Sequence, residues 1–183
     1  MRADPILPVR ARQLILLFLA ALPLARAQAP TPWQDDLVDH LAGSWKLTGT
    51  ISRQAAHHDV RAAWVLNHQF LRIEERTAAD APADEHRYDA VWFLGFDPVD
   101  STYVLHLMDI FGGRFSETIG RGKRAHDALE FEFAYPDGLF RSTYAWDPQT
   151  RAWHWRMEQQ DGKGDWSPFA DLALVRSGES PHP

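Results

Sequence analysis

The chain contains no cysteine. Disulfides, thiolate nucleophiles and cysteine metal sites are therefore excluded, and so is a lipid-bearing cysteine behind a leader. No run of Lys or Arg is long enough to follow a phosphate backbone. The chain has no Gly-x-Ser-x-Gly elbow, phosphate-binding loop, dinucleotide glycine fingerprint or His-Glu-x-x-His pair. The familiar signatures of serine hydrolases, nucleotide enzymes and zinc proteases are thus missing. Helical periodicity of about 10–15 residues between extended segments is missing too, which argues against a parallel βαβ sheet.

A long apolar run occurs once. Leu14 to Leu24 is apolar over 11 residues, with Arg2, Arg10 and Arg12 before it and the small-residue sites Ala25-Arg26-Ala27 and Ala27-Gln28-Ala29 after it. That is the pattern of a secretory signal peptide over residues 1–29. A spanning helix needs about 20 apolar residues, so a membrane anchor is not expected. Export with cleavage near Ala27 to Ala29 is the expectation, to the periplasm or beyond. Cleavage after Ala29 would remove four Arg and one Asp and take the net charge from −6 to −9. A chain this acidic is expected to bind neither nucleic acid nor an anionic membrane surface.

The remainder is rich in aromatics, which make up 12% of the chain and include eight Trp. Large flat side chains favour pleated, half-buried surfaces, so the balance tilts toward β structure. Residues 30–40 form a linker and a short helix, in which Trp33, Leu37 and Leu41 share one face. From Trp45 onward, short strands alternate with turns. Trp45, Leu47 and Ile51 share one parity, and Lys46, Thr48 and Thr50 take the other.

Further strands are predicted at Val60–Leu66, Phe70–Arg76, Tyr88–Phe96, Thr102–Ile110, Phe115–Gly120, Ala128–Phe133, Leu139–Trp146, around Trp153–Glu158, and at Trp166–Arg176. Gln54–Asp59 and Ala78–Arg87 read as loops and Arg121–Asp127 as a basic turn. About ten strands joined mostly by tight turns point to one all-β domain over residues 41–176, a single closed antiparallel β-barrel, with a flexible tail from 177. A barrel of this size can hold one small ligand.

Gly43-Ser-Trp45 opening the first strand resembles the Gly-x-Trp start of lipocalins and other calycins. The stretch from His40 to Arg176 resembles a bacterial family of exported, lipocalin-like domains of unknown function. The pieces that carry the likeness are Leu41, Gly43, Trp45 and Gly49, then Trp64, Leu66, Asn67, Phe70 and Leu71. Gly95, Phe96, Asp97 and Tyr103 follow, with Asp109 before Gly112-Gly113, the run Asp161 to Trp166, and Arg176. The resemblance implies a lipocalin-like barrel with a cavity, and no reaction. The same start is similar to that of the haem-binding nitrobindins, whose motif has a further glycine where this chain has Leu47. They also use an axial histidine late in the chain. Here only His154 and His182 are late enough, and His154 has the parity opposite to Trp153 and Trp155.

The ligand-binding set expected for the lumen is Trp45, Trp64, Phe70, Trp92, Phe131, Arg141, Tyr144 and Trp155. Aromatics would form an apolar pocket, and a few polar groups would orient what it holds. If the face bearing Arg141 points inward, its guanidinium needs a carboxylate or an anionic ligand; if outward, it is a surface charge. His57-His58 lies in the expected loop, where a pair seldom forms a preorganised site, and no histidine spacing suits a metal. Glu74 and Glu75 point to opposite faces of a strand, with Arg72 and Arg76 as natural partners. The leading function is an exported binding protein for a small hydrophobic molecule, with no catalytic residue, cofactor or metal assigned. The alternatives are an enzyme on the same scaffold, using Glu75, Arg141 or His106 in the lumen, and a haem protein.

Overall fold

A computed structural model describes residues 30–178; residues 1–29, where a leader is expected, and the last five residues, His182 among them, lie outside the described residues. The chain runs through helix α1 (Asp36–Leu41) and strands β1 (Gly43–Ile51), β2 (Gln54–Val65), β3 (Phe70–Thr77), β4 (Asp89–Asp97) and β5 (Thr102–Asp109). A single turn of helix, α2 (Gly113–Ser116), precedes β6 (Ile119–Ala125), β7 (Ala128–Tyr135), β8 (Gly138–Asp147), β9 (Ala152–Gln160) and β10 (Trp166–Arg176). Every strand pairs antiparallel with its sequence neighbours, and β1 also pairs with β10, Trp45 opposite Arg176 and Ile51 opposite Ala170. The sheet closes on itself and leaves no free edge. This is the all-β, ten-strand antiparallel barrel with a short N-terminal helix that the pattern predicts.

Helix α1 stoppers one end. Asp35 caps it, accepting from the Leu37 and Val38 N–H groups at 3.0 Å each. Its apolar face, Leu37, Val38 and Leu41, is buried in the barrel mouth. The Trp45 indole N–H donates to the Leu41 carbonyl at 2.8 Å. The Arg176 guanidinium, from the end of β10, lies 4.1 Å from the Trp45 ring centre and donates to the carbonyls of Ala42 (2.8 Å) and His40 (3.1 Å). Gly43 makes this approach feasible: its φ is +133°, and a Cβ there would sit 1.8 Å from Arg176 Nη1.

Two segments differ from the sequence-based expectation. Gln54–Asp59 is strand rather than loop. Ser52 and Arg53 both have positive φ, 49° and 67°, and turn the chain in two residues, so β2 starts at Gln54. Two-residue turns of this kind match the twist of the flanking strands. Consequently His57 and His58 lie on opposite faces of β2. The sixth strand begins later than expected, and the supposed basic turn is its body. Inward positions 120 and 122 are glycines covered by the rings of Phe133 and Phe131; a Cβ would come within 2.4 Å and 2.5 Å of them. Apolar alternation is invisible there because the neighbouring strand supplies the bulk.

Replacing Trp45 by alanine removes the side chain that joins helix, first strand and last strand. Urea unfolding of Trp45→Ala is expected to show a loss of about 3–5 kcal/mol, the range for a large buried aromatic. A loss below about 1 kcal/mol would mean that the stopper is not part of the cooperative unit.

Candidate functional site

The end opposite α1 is hollow. A cavity of about 560 Å³ opens between the β1–β2 hairpin, the 78–88 segment, the stretch around α2, and the β7–β8 turn. Side-chain size along the lumen explains the division. Toward α1 the interior is filled by Trp45, Trp153, Phe131 and Tyr144, all buried. Toward the mouth, inward positions such as Ala56 and Ser142 are small, and space remains between the rings of Trp92, Trp155 and Phe133. Phe111 lines the cavity while remaining largely exposed, giving the mouth an apolar lip.

One wall is polar and deeply buried. His58, 3% exposed, points inward from β2; Glu75, 1% exposed, points inward from β3. His58 Nδ1 and Glu75 Oε1 are 2.6 Å apart. The 78–88 segment folds back over this pair. It is tied down where the Ala78 N–H donates to the His57 carbonyl (2.8 Å) and the Tyr88 N–H donates to Thr77 Oγ1 (2.7 Å). It delivers Glu85, whose Oε1 accepts from the His57 backbone N–H (2.8 Å) and lies 3.4 Å from His58 Nε2. Glu85 Oε2 is 2.8 Å from His57 Nδ1. His58 is thus held between two carboxylates. Tyr88 stacks on its imidazole with centres 5.6 Å apart.

The opposite wall is aromatic. Trp155 stacks on Tyr144 (4.8 Å), meets Trp92 edge-on (5.4 Å) and donates its indole N–H to Ser142 Oγ at 2.7 Å. Burial pushes the Tyr88 and Tyr144 hydroxyls well above the ordinary phenol value, and the nearby Glu75 charge adds to it. Burial, with the Asp109 charge, raises Tyr135 to about 12. These phenols stay protonated. Burial pushes the Glu85 carboxyl up, but hydrogen bonds from His57 and the His57 and His58 charges outweigh it and hold the group below its ordinary 4.5. An apolar chamber with one such wall can bind an amphipathic molecule, and a buried imidazole between carboxylates can also move protons.

Of the residues expected to line the lumen, Trp92 and Trp155 meet the cavity. Trp45, Phe131 and Tyr144 are buried in the filled part below it. Trp64 lies at the stoppered end, stacked on His68 at 3.8 Å and donating to Asp39 Oδ1 at 2.8 Å. Phe70 has the parity opposite to buried Leu71 and covers Gly95, whose added Cβ would meet Phe70 Cε1 at 2.6 Å. Arg141, whose facing the sequence leaves open, does not reach the lumen. Buried Ser142 and Tyr144 set the inward parity of β8, so Arg141 is on the outer surface, 3.7 Å above the Trp166 ring and 3.9 Å from Glu132 Oε2.

Among the acid–base candidates, Glu75 is in the lumen. His106 faces outward on β5, where Leu105 and Leu107 are buried, and its Nε2 is 2.6 Å from the Ser116 carbonyl. His58, Glu85 and Tyr88 are cavity residues that the sequence reading missed. A two-residue turn at Ser52-Arg53 would have put His58 in step with Val60 and Ala62; nothing local marks Glu85. Among the described residues, no set of three His, Asp or Glu is placed to hold a metal ion. Of the two late histidines, His154 is exposed on the outer face of β9 and does not reach the cavity, and His182 lies outside the described residues; both ring nitrogens of His58 face carboxylates.

Glu85 makes a pH signature. Its folded carboxyl titrates below 4.5, so its stabilising contribution is complete above that value and is lost as the pH falls through the lower folded one. Melts from neutral pH down to about pH 3 are expected to show wild type more stable than Glu85→Gln at neutral pH. The gap should close in acid; a gap that widens instead would reverse the assignment.

No protein-family model matches the chain, and no curated protein matches it. Among solved structures, the crystal structure of Rv2717c from M. tuberculosis is similar, with a TM-score of 0.50 at 16% identity. The match covers 76% of this chain and 94% of that one. At that identity the likeness bears on the fold, and it places this chain with closed antiparallel barrels.

Proposed function

We propose that this is an exported, lipocalin-like binding protein that holds a small hydrophobic molecule in the mouth of its barrel. The observation that carries the reading is the cavity: about 560 Å³ with Trp92, Trp155 and Phe133 around it and a short polar wall. Binding sites for small molecules are commonly a few hundred Å³, mostly apolar, with a few placed polar groups. The leader at residues 1–29 and the calycin-like Gly43-x-Trp45 start support export and the lipocalin-like assignment. A second reading, an enzyme that moves a proton on a hydrophobic substrate, is favoured by the Glu75–His58–Glu85 row, where imidazole and carboxylate are 2.6 Å apart inside the chamber.

Native mass spectrometry of the protein isolated from its own host should reveal a mass that is lost on denaturation. In vitro, an apolar fluorescent probe should bind wild type. Ala56→Phe, which fills the chamber from a small inward position, should bind the probe at least about tenfold more weakly while melting no lower than wild type. Trp64→Ala, at the other end, is the control and should bind like wild type. Unchanged affinity in Ala56→Phe would remove the cavity as the binding site. Export is tested separately: the secreted protein should begin just after Ala27 or Ala29, and retention of residues 1–29 would defeat that part.

A further inference from the structure

The polar wall narrows the class of ligand, on the reading that the cavity is a binding site. We infer that the molecule it takes carries a cationic head group, such as a protonated amine, on an apolar body, and that the head lies against Glu75 beside the Tyr88 ring.

The argument begins with proton counting. A contact of 2.6 Å between His58 Nδ1 and Glu75 Oε1 requires one proton between them. The pair then sums to zero, as imidazolium with carboxylate or imidazole with carboxylic acid, or to −1, as neutral imidazole with carboxylate. Glu85 is ionised at neutral pH because its carboxyl is held below 4.5. The row therefore carries a charge of −1 or −2 in each arrangement. The His57 ring, with Nδ1 2.8 Å from Glu85 Oε2, is half-exposed on the outer face and does not line the chamber.

The other charged groups on the cavity do not reverse this sign at its floor. Asp109 adds a carboxylate, accepting from the Phe111 N–H at 2.9 Å and from the Tyr88 hydroxyl at 3.5 Å. Asp137 is at the β7–β8 turn, paired with Arg114 at 2.8 Å. Arg87 and His86 also border the cavity, but both are exposed on the 78–88 segment at the rim. Deep in the chamber a ligand meets carboxylates and aromatic faces. Ring faces attract cations more strongly when desolvated, and Tyr88 and Trp92 offer them next to Glu75. An anionic head would be pressed against like charge between largely apolar walls, where screening is weaker than at the surface. The expected net charge of −9 after cleavage would draw cations toward the protein before contact.

The test is a matched series of n-alkyl ligands of one chain length: primary amine, trimethylammonium, alcohol and carboxylate. Each is titrated below its micellar concentration at neutral pH and followed by tryptophan fluorescence and calorimetry. Both cations are expected to bind at least about tenfold tighter than the alcohol, and about a hundredfold tighter than the carboxylate. Glu75→Gln should shrink the amine-to-carboxylate ratio to within about threefold, and the wild-type series carries the test if that variant does not fold.

Equal affinity across the four heads would overturn the head-group inference and leave the cavity reading standing. A carboxylate that binds tightest, and loses its advantage in Arg87→Ala, would overturn it in favour of an anion held at the rim. Failure of every chain, together with the apolar probe, would bring down the binding reading itself.

Discussion

The indole of Trp45 is the point at which the barrel is tied shut. Its N–H is bonded to the end of α1, its ring lies under the guanidinium of Arg176, and its backbone pairs with both β2 and β10. A closed sheet has no edge, but closure alone does not decide what fills it. The stopper decides that for one end. Once α1 is fixed over Trp45, the aromatic layer formed by Trp153, Trp146 and Phe131 packs beneath it, and the lumen is solid there. Arg124, from the end of β6, reaches the α1 terminus and pairs with Asp35 and Asp36, so the far side of the barrel is joined to the same stopper. Asp35 therefore serves twice, as helix cap and as anchor for a strand.

Solidity at one end is what permits a chamber at the other. Interiors normally pack to near crystalline density, and an empty volume forfeits contact energy on every face that borders it. A barrel held by a well-packed base tolerates that loss because its backbone hydrogen bonds run around the circumference and do not depend on what fills the centre. The chamber is bordered by Ala56 and Ser142, where larger side chains would fit the pattern of alternation equally well. Its polar wall is arranged the same way. His58 and Glu75 come from neighbouring strands, where the pleat brings two inward side chains into contact. Glu85 is brought from a long connection held against the barrel wall by backbone bonds to His57 and Thr77.

Much of the architecture is readable from residue order. In/out alternation at Trp45 to Ile51, at Leu129 to Phe133 and at Trp153 to Met157 is local, and the structure follows it. The helix that closes one end is visible in the spacing of Leu37 and Leu41, but it starts at Asp36, so Trp33, the third residue of the expected face, lies ahead of the Asp35 cap and outside it. Failures occur where information is not local. The turn at Ser52-Arg53 uses residues that seldom adopt positive φ, so nothing announces it. Without it, His58 has no assigned face. Strand β6 hides because its inward positions are glycines and the missing bulk belongs to Phe131 and Phe133. Glu85 meets His57 across 28 residues of sequence, a contact no periodicity encodes. The candidate site suffers most, because hollow and filled barrels use the same aromatic alphabet; only three-dimensional volume separates Trp155, which meets the chamber, from Phe131, which does not.

The buried row is difficult to explain as a device for stability. Two carboxylates and an imidazole withdrawn from water carry a desolvation cost that their mutual contacts at best offset, and apolar residues of similar size commonly serve a core as well or better. Val60 and Ile73, neighbours of the row on the same strands and faces, are apolar, so the barrel accepts that solution one position away. The row is placed instead where the lumen stops being core and becomes chamber wall. Its cost is lowest there, since one side borders a space that water or a ligand can enter. Tyr88 stacks over it, and Tyr144, kept protonated partly by the Glu75 charge, stands near by. Charge at that depth does little for the fold and much for discrimination, since a misplaced sign beside largely apolar walls is penalised more than at a surface. The physical case for function thus rests on position: ionisable groups are gathered at the boundary where packing ends.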